Sequence, residues 1–218
     1  MNAAVREGAT LHTRCRITGI SRNNDGFCVR SADGRRFRSE VVVNAAGAWG
    51  KKVAALMGDD LPIAPEGLTM MVTGRMERFL GPVVGIQGHK LSFKQTANGS
   101  VVIGGGHRAA LDMKTDKNIV RISEARKSSK TVVTHFPIMK KSTIVRCWAG
   151  IEGMVSDGLP IIDASPNIPG LFHVCGFSAH GFQLSPMIGR LAASLVLGKK
   201  PELSLDAFRI GRFKTTEQ

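Results

Sequence analysis

The sequence predicts an α/β protein that carries an α+β insertion, so two lobes are expected. Residues 41–44 form a continuous apolar run that ends in Asn44 and is followed by small residues, which is typical of a buried strand in a parallel sheet. Between residues 61 and 148, short strand-like segments alternate with turn residues, a pattern that indicates an antiparallel sheet. Residues 171–198 then return to a strand, a small-residue loop and a helix.

Length and charge narrow the class of protein. The 218 residues suffice for one or two domains with a substantial core. No apolar run approaches the ~18 residues that a membrane helix needs, and the N-terminus lacks the apolar centre of a signal peptide. The net charge of +13 is compatible with nucleic-acid binding. However, the basic residues are spread along the chain and only 6% of residues are aromatic, which favours a solvated basic surface and no nucleic-acid partner.

The thiols and imidazoles give no metal-binding pattern. The four cysteines have no CxxC pair and no zinc spacing, so we expect free thiols in a reducing compartment and a cytoplasmic protein. Three histidines lack a partner at metal-ligand spacing, so no metal is predicted: His89, His107 and His135.

The first forty residues predict a small β-meander. Residues 1–9 read as the end of a helix, and residues 11–20 as an extended segment. Two further strands flank residues 31–34, where an Asp-Gly pair is typical of a hairpin turn.

A helix is predicted over residues 49–57, directly after the apolar run, and Gly58 is its stop signal. The small residues between strand and helix begin with Ala45 and Ala46. They permit either close approach of a ligand to the backbone or close packing of the helix on the strand.

Within the insertion, the pattern predicts strands at residues 68–73, 83–87, 91–95, 101–104 and 143–148. Residues 104–106 are three glycines that resemble a phosphate loop, but no helical pattern follows them, so a bulge or chain reversal is favoured. An amphipathic helix ending before Pro137 is predicted from the spacing of Ile119, Ile122, Ala125, Val132 and Val133.

The last strand–loop–helix unit organises the rest of the chain. Residues 171–174 predict a strand, and the loop after it is built largely of small residues. Ser185 is a good N-cap and Pro186 suits the first helical position, so the final helix is expected to begin there. Gly198 is expected to end it.

Three ordered segments carry a family resemblance: VVVNAAGAWGKKVAALMG, RCWAGIEGMVSDGLPIID and GFSAHGFQLSPMIGRLAASLVLG. The chain resembles FAD-dependent oxidoreductases of the D-amino-acid-oxidase type, including flavin subunits of sarcosine oxidase, opine oxidase and hydrogen cyanide synthase. The resemblance implies a partial Rossmann-like FAD-binding lobe (residues 1–60 and 149–218) and an antiparallel-sheet substrate lobe (residues 61–148). It also implies hydride transfer from an amine or amino acid to the flavin, and hetero-oligomers with other oxidase subunits.

The same resemblance implies which residues meet FAD. Those at the adenosine and pyrophosphate are Ile17, Ala45, Ala46, Gly47 and Trp49. Those around the flavin ring and ribityl chain are Gly176, Phe177, Ser178, His180, Gly181, Phe182 and Gln183. His180 could serve as a general base, although a positioning role is favoured, and no catalytic residue is assigned.

Two departures from the family pattern bear on function. No GxGxxG is present, so the chain is expected to be a C-terminal fragment without the N-terminal βαβ unit, with poor FAD affinity on its own. The alternative is a non-catalytic fragment or interaction subunit that does not bind FAD alone. No Arg follows the Trp148-Ala149-Gly150 tripeptide, which leaves Arg146 and Arg108 as candidates for a substrate acid group.

Cys147 could attach FAD covalently, as a cysteine does in some relatives, but a buried, inert thiol is the favoured interpretation. The substrate, the electron acceptor and the oligomeric state stay open.

Overall fold

The computed structural model describes residues 2–213, which divide into two compact units. Unit 1 comprises the described parts of Met1–Pro62, Pro160–Cys175 and Gln183–Gln218, and unit 2 comprises Ile63–Leu159 and Gly176–Phe182. Helices, parallel strands and antiparallel strands are all present, consistent with the predicted α/β class.

The helices and strands, in chain order, are α1 (Asn2–Arg6), β1 (Ile17–Asn23), β2 (Gly26–Ser31), β3 (Arg36–Ser39), β4 (Val42–Asn44), α2 (Gly50–Ala55), β5 (Ala64–Arg75), β6 (Val84–Gly85), β7 (Ser92–Gln95), β8 (Ser100–Gly104), β9 (Ala110–Asp112), β10 (Lys117–Ile119), α3 (Ile122–His135), β11 (Ile144–Met154), β12 (Ile161–Ala164), β13 (Leu171–Cys175) and α4 (Gly181–Val196). Short 3₁₀ turns cover Gly47–Trp49, Pro137–Lys141, Asp206–Phe208 and Ile210–Phe213. No helix in this part of the chain is long and apolar enough to span a membrane.

Unit 1 contains the predicted meander, an antiparallel sheet in the order β1-β2-β3. The hairpin turn forms where the Asp-Gly pair predicts it, with Gly34 at φ +86 and the Ser31 hydroxyl donating to the Asp33 carboxylate. The prediction of an extended segment was wrong over residues 11–16, because the first strand begins only at Ile17.

The second sheet of unit 1 has the order β12-β13-β4, and its β13–β4 pair is parallel. The predicted parallel strand is therefore confirmed. The prediction that this strand is buried on both faces was wrong, since β4 is an edge strand and Val43 is 43% exposed. The helix after it begins as a 3₁₀ turn at Gly47 and continues as α2, with Gly58 (φ +82) beyond its end.

Unit 2 is built on the predicted antiparallel sheet, in the order β11-β5-β8-β7-β6. Alternate residues of β5 point to opposite faces. Met71 faces a core that contains Phe93, Val101 and Ile103, and helix α3 adds Val132 to it. Each such large apolar side chain contributes about 1.5–3 kcal/mol on burial, so this core is sufficient to hold helix and sheet together.

Several predictions in unit 2 need correction at their ends, since the strand predicted at 68–73 is β5 (Ala64–Arg75) and the one predicted at 83–87 is β6 (Val84–Gly85). Ile119 belongs to β10 and not to helix α3, because that helix begins only at Ile122. Strand β11 runs on to Met154, six residues beyond its predicted end, since it pairs with β5 as far as Ala64, the first residue of that strand. The glycines at 105 and 106 form a bend at φ +128 and +82, with no helix directly after it, as predicted.

The predicted start of the final helix was wrong. Helix α4 begins at Gly181, and Pro186 lies inside it. The chain reverses at Ser178 and Ala179, both with positive φ, and His180 N–H donates to Phe177 O across the reversal. This turn sets the start of the helix, and Pro186, its sixth residue, lacks the N–H that would bond to Phe182 O.

Candidate functional site

The carboxyl ends of β4 and β13 mark the candidate site within unit 1. These strands are parallel neighbours, with Asn44 opposite His173. Ligands of open α/β sheets bind at the carboxyl edge of such strands. The chain leaves β4 through Ala45, so the first group of predicted cofactor residues begins at such a strand end in unit 1. The second group begins at Gly176, directly after β13, and lies in unit 2 as far as Phe182.

The post-β4 turn, defined here as residues 45–50, is exposed at Ala45, half-buried at Gly47 and buried at Ala48. Ala46 has φ −80 and ψ 15, and Gly47 follows at φ +54. The Ala46 N–H donates to Asn44 Oδ1, and the N–H groups of Trp49 and Gly50 donate to Ala46 O and Gly47 O within the turn. The N–H groups that an anion would meet here are therefore those of Gly47 and Ala48. Nothing lies within 4 Å of the place where a Gly47 Cβ would be. The turn therefore leaves room for a ligand to approach the backbone.

A buried polar network lies under this turn. Asn44 Nδ2 donates to Gly50 O at 2.8 Å, and Asn44 Oδ1 accepts from Ala46 N–H at 3.3 Å. Asn44 Nδ2 also lies 3.2 Å from His173 Nδ1. His173 Nε2 lies 2.9 Å from Asp59 Oδ2, and the imidazole is fully buried. One connected set of side chains thus joins the turn, strand β13 and the residue after Gly58.

Asp59 ends this network as a buried carboxylate. Burial acts to raise the pKa of Asp59, but hydrogen bonds from the side chains of Ser165, His173 and Asn167 outweigh it and hold the pKa below its usual value. Asn167 Nδ2 donates to Asp59 Oδ1 at 2.6 Å. The carboxylate is consequently ionised near neutral pH.

Sequence reasoning missed this network. Its members are far apart in the chain, and His173 and Asp59 are separated by 114 positions. A signal was nevertheless present. His173 interrupts an apolar strand, and an imidazole in a buried strand needs polar partners. Nothing in the spacing identified those partners.

The second strand end leads into a tightly held loop of unit 2, residues 176–181. Ser178 and Ala179 have φ of +49 and +68, a region that costs non-glycine residues about 1–2 kcal/mol each. Ser178 is buried, its Oγ accepts from Val155 N–H at 3.0 Å, and its own N–H donates to Gly153 O at 3.1 Å. Strand β11 and the residue after it therefore hold the loop in a strained shape.

Gly176 is required at the start of this loop. Its φ is +73, and a Cβ would lie 2.6 Å from Val155 Cγ2. His180, just before helix α4, is exposed, and Phe182, the second residue of that helix, is 97% exposed. Gln183 is also exposed, whereas Phe177 and Gly181 are half-buried.

Burial makes the thiol just before this loop inert. It raises the pKa of Cys175 to about 12. Cys175 therefore stays protonated at neutral pH and is neither a nucleophile nor a base there.

One face of the unit 2 sheet is apolar and only partly covered. Directly paired residues of antiparallel strands share a face, and Trp148 pairs with Met70 while Arg146 pairs with Val72. These positions are half-buried or exposed, in contrast to the core face. The Arg146 guanidinium carbon lies 6.0 Å from the centroid of the Trp148 ring, so this face offers a cation beside an apolar surface.

The two candidate substrate arginines are not brought together. Arg108 bridges to Leu68, whereas Arg146 pairs with Val72 on the other side of β5. Leu68 and Val72 lie about 13 Å apart along β5, and a further strand spacing of about 4.8 Å on each side of β5 adds to the distance between the arginine backbones. Arg108 also donates to Glu66 Oε1 at 2.6 Å. Arg146 is therefore the better placed of the two for a substrate carboxylate.

Comparison with known proteins decides the family. The chain matches the family described as "DAO: FAD dependent oxidoreductase" over residues 1–195. This protein belongs to the DAO family of FAD dependent oxidoreductases. That confirms the family resemblance and FAD as the family's cofactor.

Several relatives of this DAO-family chain are named for small amino acids. It is 28% identical over 208 residues to the sarcosine oxidase subunit beta of Rhizobium meliloti, covering 95% of this chain and 49% of that protein. It is 29% identical over 194 residues to glycine oxidase of Pseudomonas putida, covering 88% of this chain and 51% of that protein. The chain thus spans about half the length of the curated relatives it matches.

Solved structures agree on the fold. L-proline dehydrogenase from P. horikoshii superposes with a TM-score of 0.87 at 25% identity, covering 96% of this chain and 56% of the other. Glycine oxidase from Geobacillus kaustophilus gives a TM-score of 0.86 at 25% identity, covering 96% and 55%.

The described residues fit an FAD contact at the post-β4 turn of this DAO-family chain. FAD carries an anionic pyrophosphate, and the backbone of Gly47 has open space beside it, where the N–H groups of Gly47 and Ala48 would meet an anion. Trp49 is half-buried at the end of the 3₁₀ turn.

The remaining predicted positions are placed as follows. Ile17 is half-buried at the first position of β1, opposite Ser31. The prediction of a buried thiol at Cys147 was wrong. Cys147 is exposed, because it lies on β11, an edge strand of its sheet.

Proposed function

We propose that this chain forms part of an enzyme that oxidises a small amine or amino acid with FAD. The observation that carries the proposal is the post-β4 turn, which has open space at the Gly47 backbone and lies at a strand end in a DAO-family chain. When bound, FAD accepts a hydride from the carbon that bears the amine. The finer partition into a Rossmann-like FAD-binding lobe and an antiparallel substrate lobe belongs to this proposal.

The chain's own residues have three tasks in the proposed enzyme. The post-β4 turn, together with Ile17 and Trp49, binds the cofactor's anionic and adenosine parts. The loop at residues 176–181, with Phe182 and Gln183, orients the flavin, and its strained shape is held by Ser178. A rigid loop positions a ligand without further loss of conformational freedom on binding.

The open face of the unit 2 sheet binds the substrate in this proposal. Arg146 holds a substrate carboxylate by charge-assisted hydrogen bonds. The apolar side chains of Met70 and Trp148 exclude water from the amine-bearing carbon. Relatives named for sarcosine, glycine and L-proline support a small amino acid as substrate. One of those names denotes a subunit beta, which supports assembly with other oxidase subunits.

A cofactor titration tests the proposal. FAD fluorescence is followed while the purified chain is added, for the wild type, Gly47→Ala and Gly58→Ala. Both glycines have positive φ and no atom within 4 Å of a built Cβ, so the two variants carry a similar backbone cost.

We expect weak but saturable binding by the wild type, since the chain spans about half of its relatives. Gly47→Ala should weaken it at least tenfold, or about 1.4 kcal/mol, and Gly58→Ala less than twofold. Equal effects of the two variants would refute the assignment of the turn. Absence of saturable binding up to about 1 mM, the weak end of specific affinity, would favour an interaction subunit that does not bind FAD alone.

A further inference from the structure

The Asn44 side chain holds both ends of the post-β4 turn. Its Oδ1 accepts from Ala46 N–H and its Nδ2 donates to Gly50 O. If the amide were rotated by half a turn, Nδ2 would face the Ala46 N–H and Oδ1 would face the Gly50 carbonyl. Both hydrogen bonds would be lost, so the shape of the turn depends on the orientation of one buried amide.

His173 adds a third constraint on that amide. Asn44 Nδ2 is a donor, so His173 Nδ1, at 3.2 Å from it, must accept. A neutral imidazole accepts at one nitrogen and donates at the other. The proton must therefore reside on Nε2, which faces Asp59 Oδ2 at 2.9 Å.

The Asp59 carboxylate fixes this tautomer. A carboxylate only accepts hydrogen bonds, so it selects the imidazole form that donates from Nε2. The second oxygen of Asp59 is occupied by Asn167 Nδ2 at 2.6 Å. All three groups are at least 97% buried, with exposures of 3% for Asn44 and Asp59 and 0% for His173, so water cannot substitute for a partner.

We propose that Asp59 and His173 are positioning residues for the cofactor, acting through Asn44 to hold the post-β4 turn in its ligand-accepting shape. The link to FAD rests on the proposed function; the control of the turn does not. The side chains of both residues are committed to the buried network, so neither is placed to contact the cofactor itself.

The first test needs no variant. Long-range ¹H–¹⁵N NMR spectra of the full-length protein, labelled on histidine, report which ring nitrogen of His173 carries the proton. We expect the neutral Nε2–H form at pH 7. A neutral Nδ1–H form or a doubly protonated ring would overturn the proposal, because either would place a donor against Asn44 Nδ2.

The second test compares His173→Phe with His173→Gln. Phenylalanine fills the space but offers no hydrogen bonds, whereas a glutamine amide can accept from Asn44 and donate to Asp59. Hydrogen exchange of the Ala46 amide should accelerate at least tenfold in His173→Phe and at most threefold in His173→Gln. Asp60→Asn is the matched control, because Asp60 adjoins Asp59 but is exposed and paired with Lys51, and it should leave exchange unchanged.

The same variants then separate the two parts of the proposal. FAD affinity should fall at least fivefold in His173→Phe and be largely restored in His173→Gln. Unchanged Ala46 exchange in a folded His173→Phe protein would overturn the control of the turn. Faster exchange with unchanged FAD affinity would overturn the link to the cofactor. Equal FAD affinities of Gly47→Ala and Gly58→Ala would instead refute the proposed function. If His173→Phe does not fold, the tautomer of His173 in the wild type still tests whether Asp59 and His173 position Asn44.

Discussion

The hydrogen bonds to the Asp59 carboxylate make the stability of the folded protein depend on pH in acid. The pKa of Asp59 is lowered in the folded protein from the ordinary 3.8. A lowered folded pKa means that the unfolded chain binds the proton more tightly, so the associated stability is complete above the unfolded pKa. It is lost as pH falls through the folded pKa.

We predict that Asp59→Asn reduces this acid dependence. Urea unfolding between pH 7 and pH 2 should show the wild type and Asp60→Asn losing stability as pH falls below about 4. The Asp59→Asn variant should be less stable at pH 7 by about 1–3 kcal/mol and should show a smaller slope at acid pH. Identical slopes for Asp59→Asn and Asp60→Asn would contradict the assignment of an ionised, hydrogen-bonded Asp59.

The cysteines give a second prediction for single residues. Cys175 is buried with its pKa raised to about 12, whereas Cys147 is exposed on an edge strand. Only the thiolate reacts with alkylating reagents. In the native protein at pH 8, mass spectrometry after iodoacetamide treatment should find Cys147 modified and Cys175 unmodified. Modification of Cys175 at the rate of Cys147 would show that it is not buried as described.

The shape of the loop at residues 176–181 depends on the Ser178 side chain. Ser178 accepts from the Val155 N–H at a buried position. Removal of the hydroxyl leaves that donor without its partner.

We predict that Ser178→Ala lowers the free energy of unfolding by about 1–3 kcal/mol. Ser156→Ala, at an exposed position nearby in the chain, is the control and should change stability by less than about 0.5 kcal/mol. Chemical unfolding measures both. Equal effects of the two substitutions would mean that Ser178 does not hold the loop.

Elements were predictable from sequence where local signals act alone. The Asp-Gly hairpin before β3 and the helix ending before Pro137 were confirmed, because turn chemistry and periodicity decide them locally. The predicted start of α4 was wrong. Ser185 and Pro186 have the local features of a helix N-terminus, but the chain reverses earlier, at Ser178, and that reversal depends on a hydrogen bond to β11. The exposure of Val43 likewise depends on which strand lies at the edge of the sheet.

At the scale of the whole molecule, the presence of a parallel strand pair and of a separate antiparallel sheet could be predicted from sequence. The small residues after β4 indicated where backbone is open, and the structure adds the positive φ of Gly47. The Asn44–His173–Asp59 network could not be predicted, because its members come together only through the β4–β13 pairing and the packing of unit 1.

The central claim is that the post-β4 turn binds FAD, and amide chemical shifts test it directly. FAD is titrated into the uniformly ¹⁵N-labelled full-length protein, and ¹H–¹⁵N spectra are followed to saturation. The amides of Gly47 and Ala48 should shift progressively and yield the same dissociation constant as the fluorescence titration. Saturable FAD binding that leaves both amides unmoved would contradict the claim.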